Sequence, residues 1–317
     1  MANNEDFESL LNTLLYEGIA PSTRRAYAQD RARFWAWAET ELGITESYPI
    51  PIAVIQQYVL SHLPIGNQQG LKIKSLKRYL CSLSVANQEH GGTSFLADPQ
   101  LRLLLRRARR ALPNQQPVRK VATTTPLLRA MIATCDDSLW GLRDKALLLL
   151  GFAAGGRRRA ELAKLQVTDL SPTEDGYLVH IRKSKTDQDG EGFTVPLVET
   201  PAQALHAWLA ASGIKAGFVF RGIRSNGMLN RAITGRTICR IVQKRAELAG
   251  LEGAAFGGHS LRAGFLTEAV NQGVPLLQAM QFTGHKTVDV AQGYYRNAEL
   301  AQDRAARLFH EASREEE

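Results

Sequence analysis

Cysteine is scarce in this chain. There are three in 317 residues, Cys81, Cys135 and Cys239, an odd number and widely spaced. That spacing excludes a disulfide framework and any CxxC metal motif. Each cysteine then reads as a small apolar residue in a reducing compartment. Long apolar runs are missing too. The longest, ALLLLGFAA (Ala146 to Ala154), falls far short of the ~20 residues that span a bilayer. The opening MANNEDFESLL is acidic where a secretory signal would be basic. The expectation is a cytoplasmic protein that does not enter membranes. Metal-binding patterns are lacking as well. His259 and His285 have no HxxxH partner and no third ligand cluster, and no paired carboxylates suggest Mg²⁺, so no metal and no cofactor are expected. Acidic residues are in deficit, with 31 Asp and Glu against 39 Lys and Arg, a net charge of +8.

The basic balance, with a pI near 9.5, points to a polyanionic partner, nucleic acid before any other. The excess is local. Between Lys72 and Lys120 eleven basic residues face only Glu89 and Asp98, a net +9. Lys72, Lys74, Lys77, Arg78, Arg106, Arg110, Arg119 and Lys120 are therefore candidate contacts to the phosphates of a nucleic acid.

Residues 1–112 read as a helical domain. PSTRRAYAQDRARFWAWAETEL opens with a proline and a capping Ser22 or Thr23, and Tyr27, Phe34, Trp37 and Ala38 recur at helical spacing. IPIAVIQQYVLSHL, LKIKSLKRYLCSLSVANQEHG and ADPQLRLLLRRARRAL supply three more helices. The stretch 113–126, PNQQPVRKVATTTP, has three prolines and no apolar period and reads as a linker. Residues 127–317 are mixed. LWGLRDKALLLLGFAAG is a buried helix, GYLVHIRKS and GFTVPL are two strands of a hairpin, and helices follow to the end. In ITGRTICRIVQKRAEL, Arg236, Arg240 and Lys244 recur at i, i+4 and i+8, with Ile238, Ile241 and Val242 on the other faces, as a helix lying in a DNA major groove would need.

Four segments of the second region carry polar residues that the fold does not demand. AAGGRRRAEL places Arg158 and Glu161 three apart on one helix face. RKSKTDQDGEG puts Lys183 and Lys185 on one side of a strand entering a hairpin. GGHSLRAGF sets His259 and Arg262 three apart at a helix start. GHKTVDVAQGYYR holds His285 and the adjacent pair Tyr294 and Tyr295. Two arginines, a lysine, two histidines and a tyrosine suit a phosphodiester under attack. Arginine forks neutralise nonbridging oxygens, a lysine protonates a leaving oxygen, and a tyrosine can attack.

In this order the segments resemble the tyrosine recombinase (phage integrase) family. GGRRRAEL is similar to that family's TGLRxSEL box, which puts the catalytic arginine at Arg158 and leaves Arg157 where the family typically has an apolar residue. SKT resembles its hairpin lysine at Lys185, HSLR its HxxR box at His259 and Arg262, and GH gives His285. The family's nucleophile usually lies nine residues beyond that histidine, which implies Tyr294 and leaves Tyr295 to packing. PSTRRAYAQDRARFWAW and KSLKRYLCSLS extend the resemblance to the family's N-terminal domain.

The resemblance implies a mainly α fold with a small β-sheet. It has a SAM-like helical core-binding domain (1–112) and an α+β catalytic domain (127–317), closing as a C-shaped clamp on DNA. It implies a site-specific recombinase that cuts and rejoins DNA through a 3′-phosphotyrosyl intermediate. Tyr294 would be the nucleophile and Lys185 the general acid. Arg158, Arg262 and His285 would bind phosphate, His259 would assist the tyrosine's proton, and Glu161 would support the arginines. The implied partners are double-stranded DNA with inverted-repeat arms and a homotetramer formed on it from monomers. The tail NAELAQDRAARLFHEASREEE would dock in trans through a stripe of Leu300 or Ala301, Ala305, Leu308 and Ala312. A relaxing topoisomerase of the same chemistry and a catalytically silent DNA-binding regulator are the alternatives.

Overall fold

The computed structural model describes residues 18–65, 70–112, 120–182, 192–284 and 288. The chain divides into two compact units, Met1–Val118 and Arg119–Glu317.

The described part of the first unit is helical throughout: α1 (Pro21–Leu42), α2 (Ile52–His62), α3 (Ile73–Glu89) and α4 (Pro99–Ala111). Helix α1 starts earlier than its hydroxyls suggest. Ala20 is the cap residue, without a side-chain bond, and Ser22 and Thr23 lie inside the first turn. Pro21 at the first position explains this, since its missing N–H needs no cap and its φ is already helical. The core is built from Phe34, Tyr58, Leu76, Leu80, Leu83 and Leu101, all fully buried, with Phe34 and Tyr58 edge to face at 5.1 Å. Trp35 is buried as well, and its Nε1 donates to Tyr48 Oη at 3.2 Å.

Asp30, on the buried side of α1, is only 3% exposed. Arg78 of α3 compensates it with a forked pair of bonds, at 2.5 and 2.8 Å. The same guanidinium lies 4.4 Å over the Tyr79 ring. Arg78, expected on the DNA face, is thus engaged inside its own unit. Asp98 caps α4 by accepting from Leu101 N at 2.7 Å. Leu101 and Leu105 turn inward, while Arg102, Arg106, Arg107, Arg109 and Arg110 are exposed, as are Lys72, Lys74 and Lys77.

The second unit begins inside the stretch expected as a linker. Val121 N donates to Ala255 O and Thr123 N to Ser260 O, both at 2.9 Å, and Thr123 is fully buried. Turn-rich composition here reflects an extended strap rather than a free tether. Lys120, expected on DNA, donates through Nζ to Ala254 O.

Helix α5 (Thr125–Ala133) follows, then α6 (Leu139–Ala153), which Ser138 caps by accepting from Gly141 N at 3.2 Å. The short α7 (Arg159–Lys164) leads into a three-stranded antiparallel sheet, β1 (Leu170–Thr173), β2 (Gly176–Ile181) and β3 (Phe193–Val198), in the order β1-β2-β3. Leu170 pairs with Val179 and Val179 with Val195. Alternation turns Val179, Ile181, Val195 and Leu197 into the core. Against them and α6 packs α8 (Glu199–Ser212), whose buried Trp208 donates to Val219 O at 2.9 Å.

A second hairpin, β4 (Arg221–Ile223) with β5 (Leu229–Ala232), departs from the expected all-helical run. Its strands have three and four residues and no apolar alternation, so no period marks them. Strand β1 escaped for the same reason. Helices α9 (Gly235–Leu248), α10 (Gly258–Asn271) and α11 (Leu276–Thr283) complete the described chain. The tail stripe from Leu300 to Ala312 lies outside the described residues. No described helix is long and apolar enough to cross a membrane.

One buried ionic group ties three helices of this unit together. Asp144 of α6 accepts from Arg143 at 2.7 and 3.0 Å and from Arg245 of α9 at 2.9 Å. Arg245 also donates to Thr134 O, at the end of α5, at 2.6 Å. All three charged side chains are under one-tenth exposed. Removing the shared carboxylate leaves two guanidinia buried without their counter-ion, which typically costs roughly 3–5 kcal/mol. Asp144→Ala should lower the urea midpoint by that amount in free energy. A loss under about 1 kcal/mol would show that water reaches and screens the group.

Candidate active site

Helix α6 ends in two consecutive glycines of positive φ, Gly155 at 84° and Gly156 at 65°. A side chain would not fit at either. A Cβ on Gly155 would stand 2.0 Å from Phe282 O, and one on Gly156 2.3 Å from the Cα of Arg262. The backbone of the α6–α7 turn therefore rests directly on α10 and on the end of α11. Arg262 Nη1 reaches Gly156 O at 3.5 Å. In this way the first arginine box and the HSLR box are brought face to face.

The three consecutive arginines have separate fates. Arg157 is 1% exposed. Arg158 is the cap residue of α7, and its side chain is 25% exposed. Arg159 points outward. The carboxylate of Glu161 serves as the N-terminal bracket of α7. It accepts from the backbone N of Arg158 at 3.1 Å and from Arg158 Nη1 at 3.0 Å. The i, i+3 spacing thus reports a capping contact and a partly buried ion pair at once.

On the facing helix, Ser260 Oγ accepts from Gly257 N at 3.0 Å and fixes the start of α10. His259 occupies the first turn with its ring partly open to solvent, and Arg262 lies one turn on, only 3% exposed. The imidazole of His259 is held below its ordinary pKa of 6.5, first by burial, then by the charges of Arg262 and Arg158. It is neutral at pH 7 and so able to accept a proton. The arrangement concentrates positive charge around a neutral base, which suits an anionic substrate whose charge grows during reaction.

Arg158, Glu161, His259 and Arg262 come together. Lys183, Lys185, His285, Tyr294 and Tyr295 lie outside the described residues, as does Arg119. No cluster of three or more His, Cys, Asp and Glu fit to hold a metal occurs among the described residues. On α9, whose Thr234 cap accepts from Thr237 N at 3.2 Å, Arg236, Arg240 and Lys244 are exposed while Ile238, Ile241 and Val242 are buried. What the residue pattern does not reveal is the burial of Arg157, and with it the contacts of Phe193 and of the Phe282 carbonyl.

The phage integrase family model matches residues 123–300, more than half of the chain, and the chain belongs to this family, the tyrosine recombinases. It is 30% identical over 314 residues to an integrase/recombinase xerD homolog of Selenomonas ruminantium, spanning 96% of this chain and 89% of that protein. To the Cre recombinase of Escherichia phage P1 it is 25% identical over 300 residues, spanning 88% and 85%. The fold is similar to that of the Tn1549 transposon integrase in complex with transposon right end DNA. There the TM-score is 0.62 at 18% identity, over 94% of this chain and 96% of that one.

The depressed pKa of His259 has a measurable sign. The unfolded chain takes up this proton near 6.5, the folded protein only at lower pH. The stability that the neutral ring contributes is therefore complete above pH 6.5 and lost as pH falls through the folded value. In an NMR titration of the seven histidines, His259 should have a midpoint below 6.5. In Arg158→Gln, which removes one of the repelling charges, the midpoint should move up. An unchanged midpoint would leave burial and Arg262 as its whole cause.

Proposed function

We propose that the protein is a site-specific DNA recombinase acting through a covalent 3′-phosphotyrosyl intermediate. The observation that carries this reading is the close packing of Arg262 against Gly156, two residues before Arg158, with His259 one turn before Arg262 on the same helix. Two guanidinia on one phosphate would neutralise the nonbridging oxygens as the phosphorus becomes five-coordinate. Membership of the family and the DNA-bound state of the Tn1549 integrase support duplex DNA as the substrate.

In the proposed reaction Tyr294 Oη attacks phosphorus, the tyrosine bonds to the 3′ phosphate, and the P–O5′ bond breaks. His259 accepts the phenolic proton, Lys185 gives a proton to the departing 5′ oxygen, and His285 joins the arginines on the nonbridging oxygens. Glu161 holds Arg158 in place. A 5′-hydroxyl from a partner strand then reverses the step. One phosphate ester is exchanged for another, so the bond energy is conserved and no nucleotide triphosphate is consumed. Exchange of both strands at two sites requires four such centres, hence a homotetramer on two sites with inverted-repeat arms. The exposed faces of α3, α4 and α9 supply the backbone contacts, through Lys72, Lys74, Lys77, Arg106, Arg110, Arg236, Arg240 and Lys244.

The nucleophile is tested with a nicked suicide substrate. Tyr294→Phe should bind DNA and form no covalent adduct, while Tyr295→Phe should still form one. The reverse result would reassign the nucleophile. Lys185→Ala should slow cleavage roughly 10²–10⁴-fold, the range of general acid catalysis. A 5′-bridging phosphorothiolate, whose leaving group needs no proton, should restore the rate. Failure of that rescue would move the general-acid role to another residue, with Lys183 the next to examine.

A further inference from the structure

Arg157 has no part in the reaction just described, and its surroundings are unusual for a cation. The guanidinium is almost wholly buried, lying 4.8 Å over the Phe193 ring. Its Nη2 is satisfied, donating to Gly155 O at 3.2 Å and to Phe282 O. Its Nε and Nη1 make no hydrogen bond among the described residues. The nearest acid is Glu161, whose Oε2 stands 3.7 Å from Nη1, an ion pair too long for a hydrogen bond. Burial lowers the pKa of Arg157 to about 10, against the pull of Glu161, so the group remains charged at pH 7.

Glu161 is meanwhile engaged elsewhere. Both of its oxygens are held by Arg158, at 3.0 and 3.1 Å. Two guanidinia thus compete for one carboxylate. Arg158 holds it, yet of the two only Arg158 is exposed enough to meet a ligand. A phosphate binding there must compete with Glu161, and a carboxylate dislodged into a buried site without a partner would be strongly unfavourable.

We propose that Arg157 is a positioning residue that receives Glu161: as a DNA phosphate takes the Arg158 side chain, the carboxylate closes the remaining gap to Nε and Nη1 of Arg157, which have no hydrogen-bond partner among the described residues. This inference rests on the reading of Arg158 as a phosphate ligand. The exchange leaves the carboxylate paired before and after, and the phosphate supplies the second anion that the two guanidinia lack at rest. It also accounts for a cation in a position that packing alone would fill with an apolar side chain. The backbone bond from Arg158 N to Glu161 can survive the shift, since it needs only one of the two oxygens.

A merely structural arginine and an exchange partner differ in the sign of one measurement. Arg157→Leu removes a buried, partly unsatisfied charge and replaces it with an apolar side chain. Its melting temperature should stay close to that of the unmodified protein, because relief of the buried charge offsets the lost bonds to Gly155 O and Phe282 O. Its single-turnover cleavage of a suicide substrate at saturating protein should nonetheless fall about ten- to hundredfold, the loss of one charge-assisted hydrogen bond. In a Glu161→Gln background the same substitution should cost less than about threefold, because no carboxylate remains to be transferred. Full cleavage by Arg157→Leu, an equal loss in both backgrounds, or a marked fall in melting temperature would each overturn the proposal. Arg158→Gln separates the two levels. If it cleaves normally, the phosphate role of Arg158 falls, and the exchange with it. If it is inactive while Arg157→Leu is fully active, only the exchange falls.

Discussion

Two consecutive glycines at positive φ, Gly155 and Gly156, are the constraint on which the rest of the site depends. With no Cβ at either position, the corner between α6 and α7 lies against the backbone of α10 and against the last turn of α11. Arg158 and Arg262 are about a hundred residues apart in sequence, and neither helix could present its arginine to a common ligand if side chains separated the two backbones. Main-chain contact also makes the spacing insensitive to side-chain motion, which suits a site that must hold two cations against their mutual repulsion. The glycines thus do more than end a helix. Any other residue at Gly155 would meet the Phe282 carbonyl and push α11 away from the turn.

The second theme is how the structure compensates charge that it buries. Asp30 is held by the fork of Arg78, Asp144 by Arg143 and Arg245, and Glu161 by Arg158 with Arg157 behind it. In each case one carboxylate sits among guanidinium groups rather than lysines. Arginine suits this because its planar fork satisfies two carboxylate oxygens at once and its charge survives burial, as the pKa of Arg157, still about 10, illustrates. In the last two groups cations outnumber the acid. At Asp144 the surplus is absorbed by the Thr134 carbonyl. At Glu161 the carboxylate is held by Arg158, which is partly open to solvent, and the second cation, Arg157, is buried behind it. The two groups share a composition, but of the two only the second opens a guanidinium to solvent.

Elements with a strong period were legible in the sequence. The four helices of the first unit, the buried α6, the β2–β3 hairpin and the exposed basic face of α9 all follow from apolar spacing. Strands β1, β4 and β5 were not legible, because three or four residues without alternation carry no period and tertiary pairing alone defines them. Prolines and threonines mark loops, so in sequence alone the strap from Lys120 to Thr124 reads as part of a tether. Its hydrogen bonds go to Ala255 and Ser260, residues far away in sequence. Of the site, the residue types and their order were readable from short boxes. Burial was not. Three arginines in a row look alike in sequence, and only the packing of Phe193, Phe282 and Glu161 separates the buried Arg157 from the accessible Arg158.

With Arg158 as the proposed phosphate ligand, that separation bears on how such a centre would avoid inactivating itself. Guanidinium groups held close together repel, and a free protein must store them for long periods without substrate. A carboxylate between them solves the storage problem but creates another, because a strongly held arginine is withheld from phosphate. If Glu161 had Arg158 as its sole cation, every gain in resting stability would be a loss in phosphate affinity. A second, buried cation weakens that trade. It shares the carboxylate at 3.7 Å in the resting state, close enough to attract it and too far to take it from Arg158. Its N–H groups without a partner among the described residues are, on that proposal, the cost of remaining ready. On the proposed exchange, the arrangement places a small amount of unfavourable energy in a buried residue, to be relieved when an anion of matching geometry arrives at Arg158.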